Sequence, residues 1–90
     1  MSHDPLLALR CEIDAVDEQI LALIKNRMTI AKQMGALKRA TQRPLRDTVR
    51  EQQILEKLNT LNNNSEPKLA EHLLEDIFKR LMTACLEIQN

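Results

Sequence analysis

The sequence predicts an all-α fold: three helices, with a first helix too long for its own domain. Two observations carry this. The 90 residues hold one glycine, three prolines and a single aromatic, Phe78, whereas β-rich chains need turn glycines and strand aromatics. An apolar seam also runs through Leu6, Leu9, Ile13, Val16, Ile20, Leu23, Arg27, Ile30, Met34 and Leu37. Its steps alternate three and four, the spacing that keeps side chains on one helical face. Hydrophobic content of 43% with 29% charge fits a globular chain and argues against disorder. At this length residues 1–90 make one small domain.

Each helix has its own start and stop signals. Asp4-Pro5 opens the first, with a carboxylate at the N-cap and proline at the first helical position. Thr41-Gln42-Arg43-Pro44 closes it, because a residue before proline avoids helical geometry. A helix from about residue 5 to 40 is roughly 54 Å long. The radius of gyration expected for a compact chain of this size is only about 12 Å. The helix must therefore overhang its subunit, and its apolar seam requires cover, so an intertwined homodimer along this helix is expected.

The second helix is expected from Asp47 or Thr48 to about Leu61, with Val49, Ile54, Leu55, Leu58 and Leu61 as its apolar side. Asn62-Asn63-Asn64-Ser65 reads as a turn. Ser65-Glu66-Pro67 reads as the opening of the third helix, which continues to the end of the chain.

Formal net charge is zero, so no global field draws nucleic acid or an acidic membrane, and neither is an expected partner. No run is long enough to span a bilayer. The start, Met-Ser-His-Asp-Pro, lacks the layout of a signal peptide. Cys11 and Cys85 have no metal-ligand spacing and read as reduced thiols in a cytoplasmic protein. No HExxH, glycine-rich phosphate loop or Ser/His/Asp set occurs, and His3 and His72 read as surface residues. No metal and no cofactor are expected.

Arg27 is the one charged member of the seam. A guanidinium stays ionised at any ordinary pH, and burying it without a partner costs several kcal/mol by rough reckoning. Either the seam is open there or an anion sits against it. Lys38 lies eleven residues on, close to three turns, so the two cations share a face roughly 16 Å apart. Ala31 and Gly35 lie between them on that stripe, leaving room for a ligand. Lys38 alone could equally serve the helix C-terminus.

Arg10 is about 26 Å from Arg27 along the helix and reads as a surface arginine within one subunit. In an antiparallel dimer crossing near residue 23 it lands beside residue 36 of the other copy, between the partner's Arg27 and Lys38. Asp47, Arg50 and Glu51 follow one another in the first turn of the second helix, where the two acids suit capping and the helix dipole, while free N–H groups there can hold a carboxylate. Gln89, four residues after Cys85, is either a solvated amide near the terminus or part of the same set.

These positions together resemble a known family. Leu9-Arg10, Ile13-Asp14, Asp17, Leu23-Ile24, Asn26-Arg27, Gly35-Ala36-Leu37-Lys38, Arg43-Pro44-Leu45-Arg46-Asp47, Arg50-Glu51, Cys85 and Gln89 are similar to the all-helical chorismate mutases. The likeness is to the mutase domain at the N-terminus of bacterial bifunctional prephenate-forming proteins. It implies a homodimer of three-helix subunits with shared active sites. It also implies cofactor-free Claisen rearrangement of chorismate to prephenate, on the way to phenylalanine and tyrosine.

By that resemblance Arg27 and the partner's Arg10 grip the two carboxylates. Lys38 and Gln89 hydrogen-bond the ether oxygen and are the catalytic pair. Glu51, with Lys38, holds the ring hydroxyl. Asp47, through its backbone, and Cys85 complete the carboxylate pocket. Cys85 departs from the pattern, since those mutase domains place serine there. Two other readings remain: an isochorismate–pyruvate lyase, which uses similar cations, and a helical dimerisation module without catalysis.

Overall fold

Asp4 caps the first helix as its sequence implies, accepting from the Leu6 N–H at 3.0 Å, and Pro5 takes the first helical position. The computed structural model describes residues 4–90, so His3 lies outside them. It consists of α1 (Pro5–Ala40), α2 (Thr48–Asn63) and α3 (Glu71–Ile88), with no strand among the described residues. His72 is exposed, as expected.

α1 stops before Pro44, by a backbone motif. The Arg43 N–H donates to the Lys38 carbonyl at 2.7 Å and the Gln42 N–H to the Arg39 carbonyl at 3.2 Å. This double closure turns the chain at Gln42, whose φ is +56°, a left-handed conformation favoured by glycine. The residues that follow lead into α2, where Asp47 is the N-cap and its carboxylate accepts from the Arg50 N–H at 2.9 Å.

The third helix starts later than the sequence suggests. Ser65-Glu66-Pro67 does not open it; its N-cap is Ala70. The Asn62 side chain explains the delay. Its amide donates to the Leu69 carbonyl at 2.6 Å, and its oxygen accepts from the Leu69 N–H at 2.9 Å. That pair fixes residue 69 against the end of α2, which itself runs through Asn63, two residues beyond the expected end. Helical bonding begins only when Leu73 and Leu74 donate to the Ala70 carbonyl.

α3 packs against both α1 and α2. The core is small: Ala31, Leu55, Leu74 and Cys85 are its buried apolar residues. The molecule measures 63 × 27 × 16 Å, with a radius of gyration of 17.2 Å. A compact chain of this length would have about 12 Å, so the long helix does overhang. Along it the seam stays in solvent, with Leu9 57%, Ile13 59% and Leu23 67% exposed. No described helix is long and apolar enough to cross a membrane.

Candidate functional site

Three elements bring their polar residues to one cavity of about 250 Å3. α1 contributes Arg27, Ala31 and Lys38, the start of α2 contributes Asp47, Arg50 and Glu51, and α3 contributes Cys85 and Gln89. The volume is just below the range of about 300–1,000 Å3 usual for drug-sized ligands, so it suits a small molecule. Of the residues expected from sequence, all but Arg10 line it. Arg10 is exposed on the overhanging part of α1, far from the cavity of its own subunit.

Arg27 is half-buried, and its Nη1 donates to the Cys85 sulfur at 3.0 Å. Cys85 is 4% exposed. The sulfur therefore acts as an acceptor that orients the guanidinium. No carboxylate forms an ion pair with Arg27 or Lys38 among the described residues. The wall thus holds a fixed, uncompensated cation, which is an anion-binding arrangement.

Lys38 bridges two elements. Its Nζ donates to the Leu45 carbonyl at 2.7 Å and to the Gln89 Oε1 at 3.0 Å. An ammonium has three donors and no acceptor, so one N–H remains for a ligand. The same geometry fixes the Gln89 amide, because only its oxygen can face the ammonium. Its Nε2 group makes no hydrogen bond within the described chain and is left as a donor on a residue that lines the cavity.

One expectation changes in detail. Gly35 was expected to leave space for a ligand, but that space is filled by Gln89. A Cβ at Gly35 would lie 2.8 Å from the Gln89 Cβ and 3.0 Å from its Cα. The glycine lets the end of α3 reach α1, and only Ala31 of the small pair borders the cavity. Glu51 pairs with Arg46 at 3.4 Å. At the surface such a pair contributes about 0–1 kcal/mol, so Glu51 is free to exchange it for a ligand.

Asp47 spends its carboxylate on the α2 cap and also borders the cavity. Arg50, which the sequence groups with Asp47 and Glu51 but gives no role, is a third cation in the lining. Its position one residue before Glu51 was the available signal, but a lone arginine in a first turn resembles any surface arginine. The apolar lining, including Ile54, Met82 and Leu86, was also missed, because core and cavity positions share one periodicity.

The Arg27–Cys85 contact sets the first expected result. Serine at position 85 is a stronger acceptor for Arg27 and can also donate to a bound carboxylate. Cys85→Ser should therefore raise kcat/KM for the substrate by about fivefold, the size of one ordinary hydrogen bond of roughly 1 kcal/mol. Steady-state kinetics of the two proteins check this, and unchanged kcat and KM would refute it.

Comparison with known proteins identifies the family. The pattern that defines chorismate mutase type II matches residues 9–90. The bifunctional chorismate mutase/prephenate dehydratase of Escherichia coli K12 is 41% identical over 86 residues, which is 96% of this chain and 21% of that protein. The protein of the same description from Aquifex aeolicus is 33% identical over 87 residues, covering 96% of this chain and 24% of that protein. This chain thus spans less than a quarter of the length of either relative. Among solved structures, chorismate mutase (form II) from Thermus thermophilus superposes with a TM-score of 0.88 at 26% identity, covering 96% of this chain and 94% of that one. A sequence match over nearly the whole chain and a shared three-helix architecture lead to one assignment: the chain belongs to the chorismate mutase type II family.

Proposed function

We propose that this chain rearranges chorismate to prephenate, in a homodimer whose two sites each take one arginine from the other subunit. The observation that carries the reading is Arg27, a half-buried guanidinium on the cavity wall whose partner in the chain is the Cys85 sulfur rather than a carboxylate. Its counter-charge is a substrate carboxylate, and the partner's Arg10 takes the second carboxylate. Residues 1–90 act as a single domain, working in the cytoplasm with both thiols reduced.

Support for the dimer comes from α1. Its seam is exposed, and an apolar groove of about 730 Å3 lies between α1 and α3, lined by Ile20, Leu23, Ile24, Ile77, Phe78 and Leu81. A second copy of α1 crossing near Leu23 covers both. Antiparallel crossing carries the partner's Arg10 beside residue 36, next to the cavity that lacks it.

The reaction is unimolecular: the ether C–O bond breaks while a C–C bond forms, with no proton or electron leaving. It requires the flexible dianion to be held folded, with the bond-forming carbons in contact. Two fixed guanidiniums do this, supplying a share of the roughly 7–11 kcal/mol available from orientation. Negative charge grows on the ether oxygen as its bond breaks. The remaining Lys38 N–H and the Gln89 Nε2 group are the donors that meet it. Preorganised donors of this kind are worth about 3–4 kcal/mol each. Glu51 holds the ring hydroxyl, and the Asp47 backbone and Cys85 complete the carboxylate pocket.

Incubation with chorismate and, separately, isochorismate tests the reading by absorbance and product analysis. Conversion of chorismate to prephenate is expected. Pyruvate release from isochorismate with chorismate untouched would make the chain a lyase. Turnover of neither would leave a dimerisation module and refute catalysis.

A further inference from the structure

Gln89 is held at more places than its side chain requires. Lys38 takes its side-chain oxygen at 3.0 Å, the Gly35 backbone lies beneath its Cα and Cβ, and Arg39 Nη1 donates to its main-chain carbonyl. Lys38 and Arg39 are consecutive in the last turn of α1, and consecutive helical residues point about 100° apart. One therefore reaches the amide group and the other the main chain of the same residue. Arg39 does not line the cavity, so it has no direct access to a ligand there.

The need for such a contact follows from where Gln89 sits. It is the C-cap of α3, beyond the last fully bonded turn, held within its own helix by its N–H donating to the Leu86 carbonyl at 3.1 Å. Carbonyls at a helix C-terminus lack intrahelical partners, and the last turn frays unless something secures it. A guanidinium on that carbonyl satisfies the acceptor and complements the negative end of the helix dipole. A donor that must meet charge in a transition state loses its value if its backbone moves by about 1 Å.

We infer that Arg39 is a positioning residue for the rearrangement: it pins the end of α3 to α1 so that the Gln89 amide stays aimed into the cavity. The inference rests on the mutase reading above. It predicts that Arg39 acts through Gln89 alone.

Kinetics of Arg39→Met, Arg39→Lys, Gln89→Ala and the Arg39→Met/Gln89→Ala double variant test it with chorismate. Arg39→Met should lower kcat about tenfold with KM within about twofold, because a mobile donor weakens charge stabilisation more than binding. Arg39→Lys should recover most of the rate, since the observed contact uses a single donor. In the Gln89→Ala background, Arg39→Met should change kcat by less than about twofold. An equal tenfold loss in both backgrounds, or no loss in the single variant, would overturn the inference.

A second readout is independent of turnover. NMR order parameters of the Gln89 backbone and side-chain amides should drop in Arg39→Met and return in Arg39→Lys. Unchanged order parameters would overturn the clamp itself. Failure of the wild-type chain to convert chorismate, with the order parameters still dropping, would instead remove the mutase reading and leave the clamp as a fold contact.

Discussion

Arg27→Ala is expected to lower kcat/KM for chorismate by about 10^2- to 10^4-fold, the largest effect of any single change in the chain. The range follows from losing a paired, charge-assisted contact worth roughly 3–5 kcal/mol to one carboxylate. The same substitution should leave the ligand-free protein no less stable to heat. Arg27 has the Cys85 sulfur as its partner and no carboxylate to offset its desolvation, so removing it relieves a cost. Activity and stability thus move apart. Parallel loss of both, by kinetics and thermal melting, would mean that Arg27 is a packing residue.

Gln89→Glu should lower kcat/KM about 10^2- to 10^3-fold at neutral pH. An ionised carboxylate can only accept hydrogen bonds, so it removes the donor aimed at the ether oxygen and opposes the charge that grows there. The sign of the pH dependence follows. Only the protonated carboxyl can donate, so the variant's rate rises as pH falls toward the carboxylate range near about 4. The wild-type amide does not titrate, and its rate should stay nearly flat from weakly acidic to neutral pH. Rate measurements across that range separate the two. A steep wild-type fall between about pH 6 and pH 8, or a variant equally slow at every pH, would remove Gln89 from the role of donor.

The extent of α1 was legible because two independent signals agree. An Asp-Pro start and a three-four apolar pattern need no tertiary information, and the helix they imply is the one observed. The start of α3 was not legible. Glu66-Pro67 carries the composition of a helix start, but the Asn62 side chain, seven residues away from Leu69, keeps that stretch out of the helix. A hydrogen bond of that kind leaves no periodicity to read.

The site divides in a similar way. A cation inside an apolar seam is conspicuous, which is why Arg27 stands out from the residues alone, and Lys38 is noticed because it shares a face with Arg27 three turns on. Gln89 gained its place only from its company, since an amide near a terminus is commonly solvated. Gly35 was misread in function though not in position: the space it opens belongs to Gln89 rather than to a ligand. Arg10 shows the limit of reading one subunit. Its own chain gives it no site, and the role proposed for it requires a second copy.

Co-refolding an Arg10→Ala subunit with an Arg27→Ala subunit tests the shared site most directly. Each homodimer lacks one arginine in both sites and should be nearly inactive. A mixed dimer has one site with both arginines intact and one with neither. Random pairing of equal amounts then returns about a quarter of the wild-type activity. Activity no higher than that of the separate variants would contradict the account.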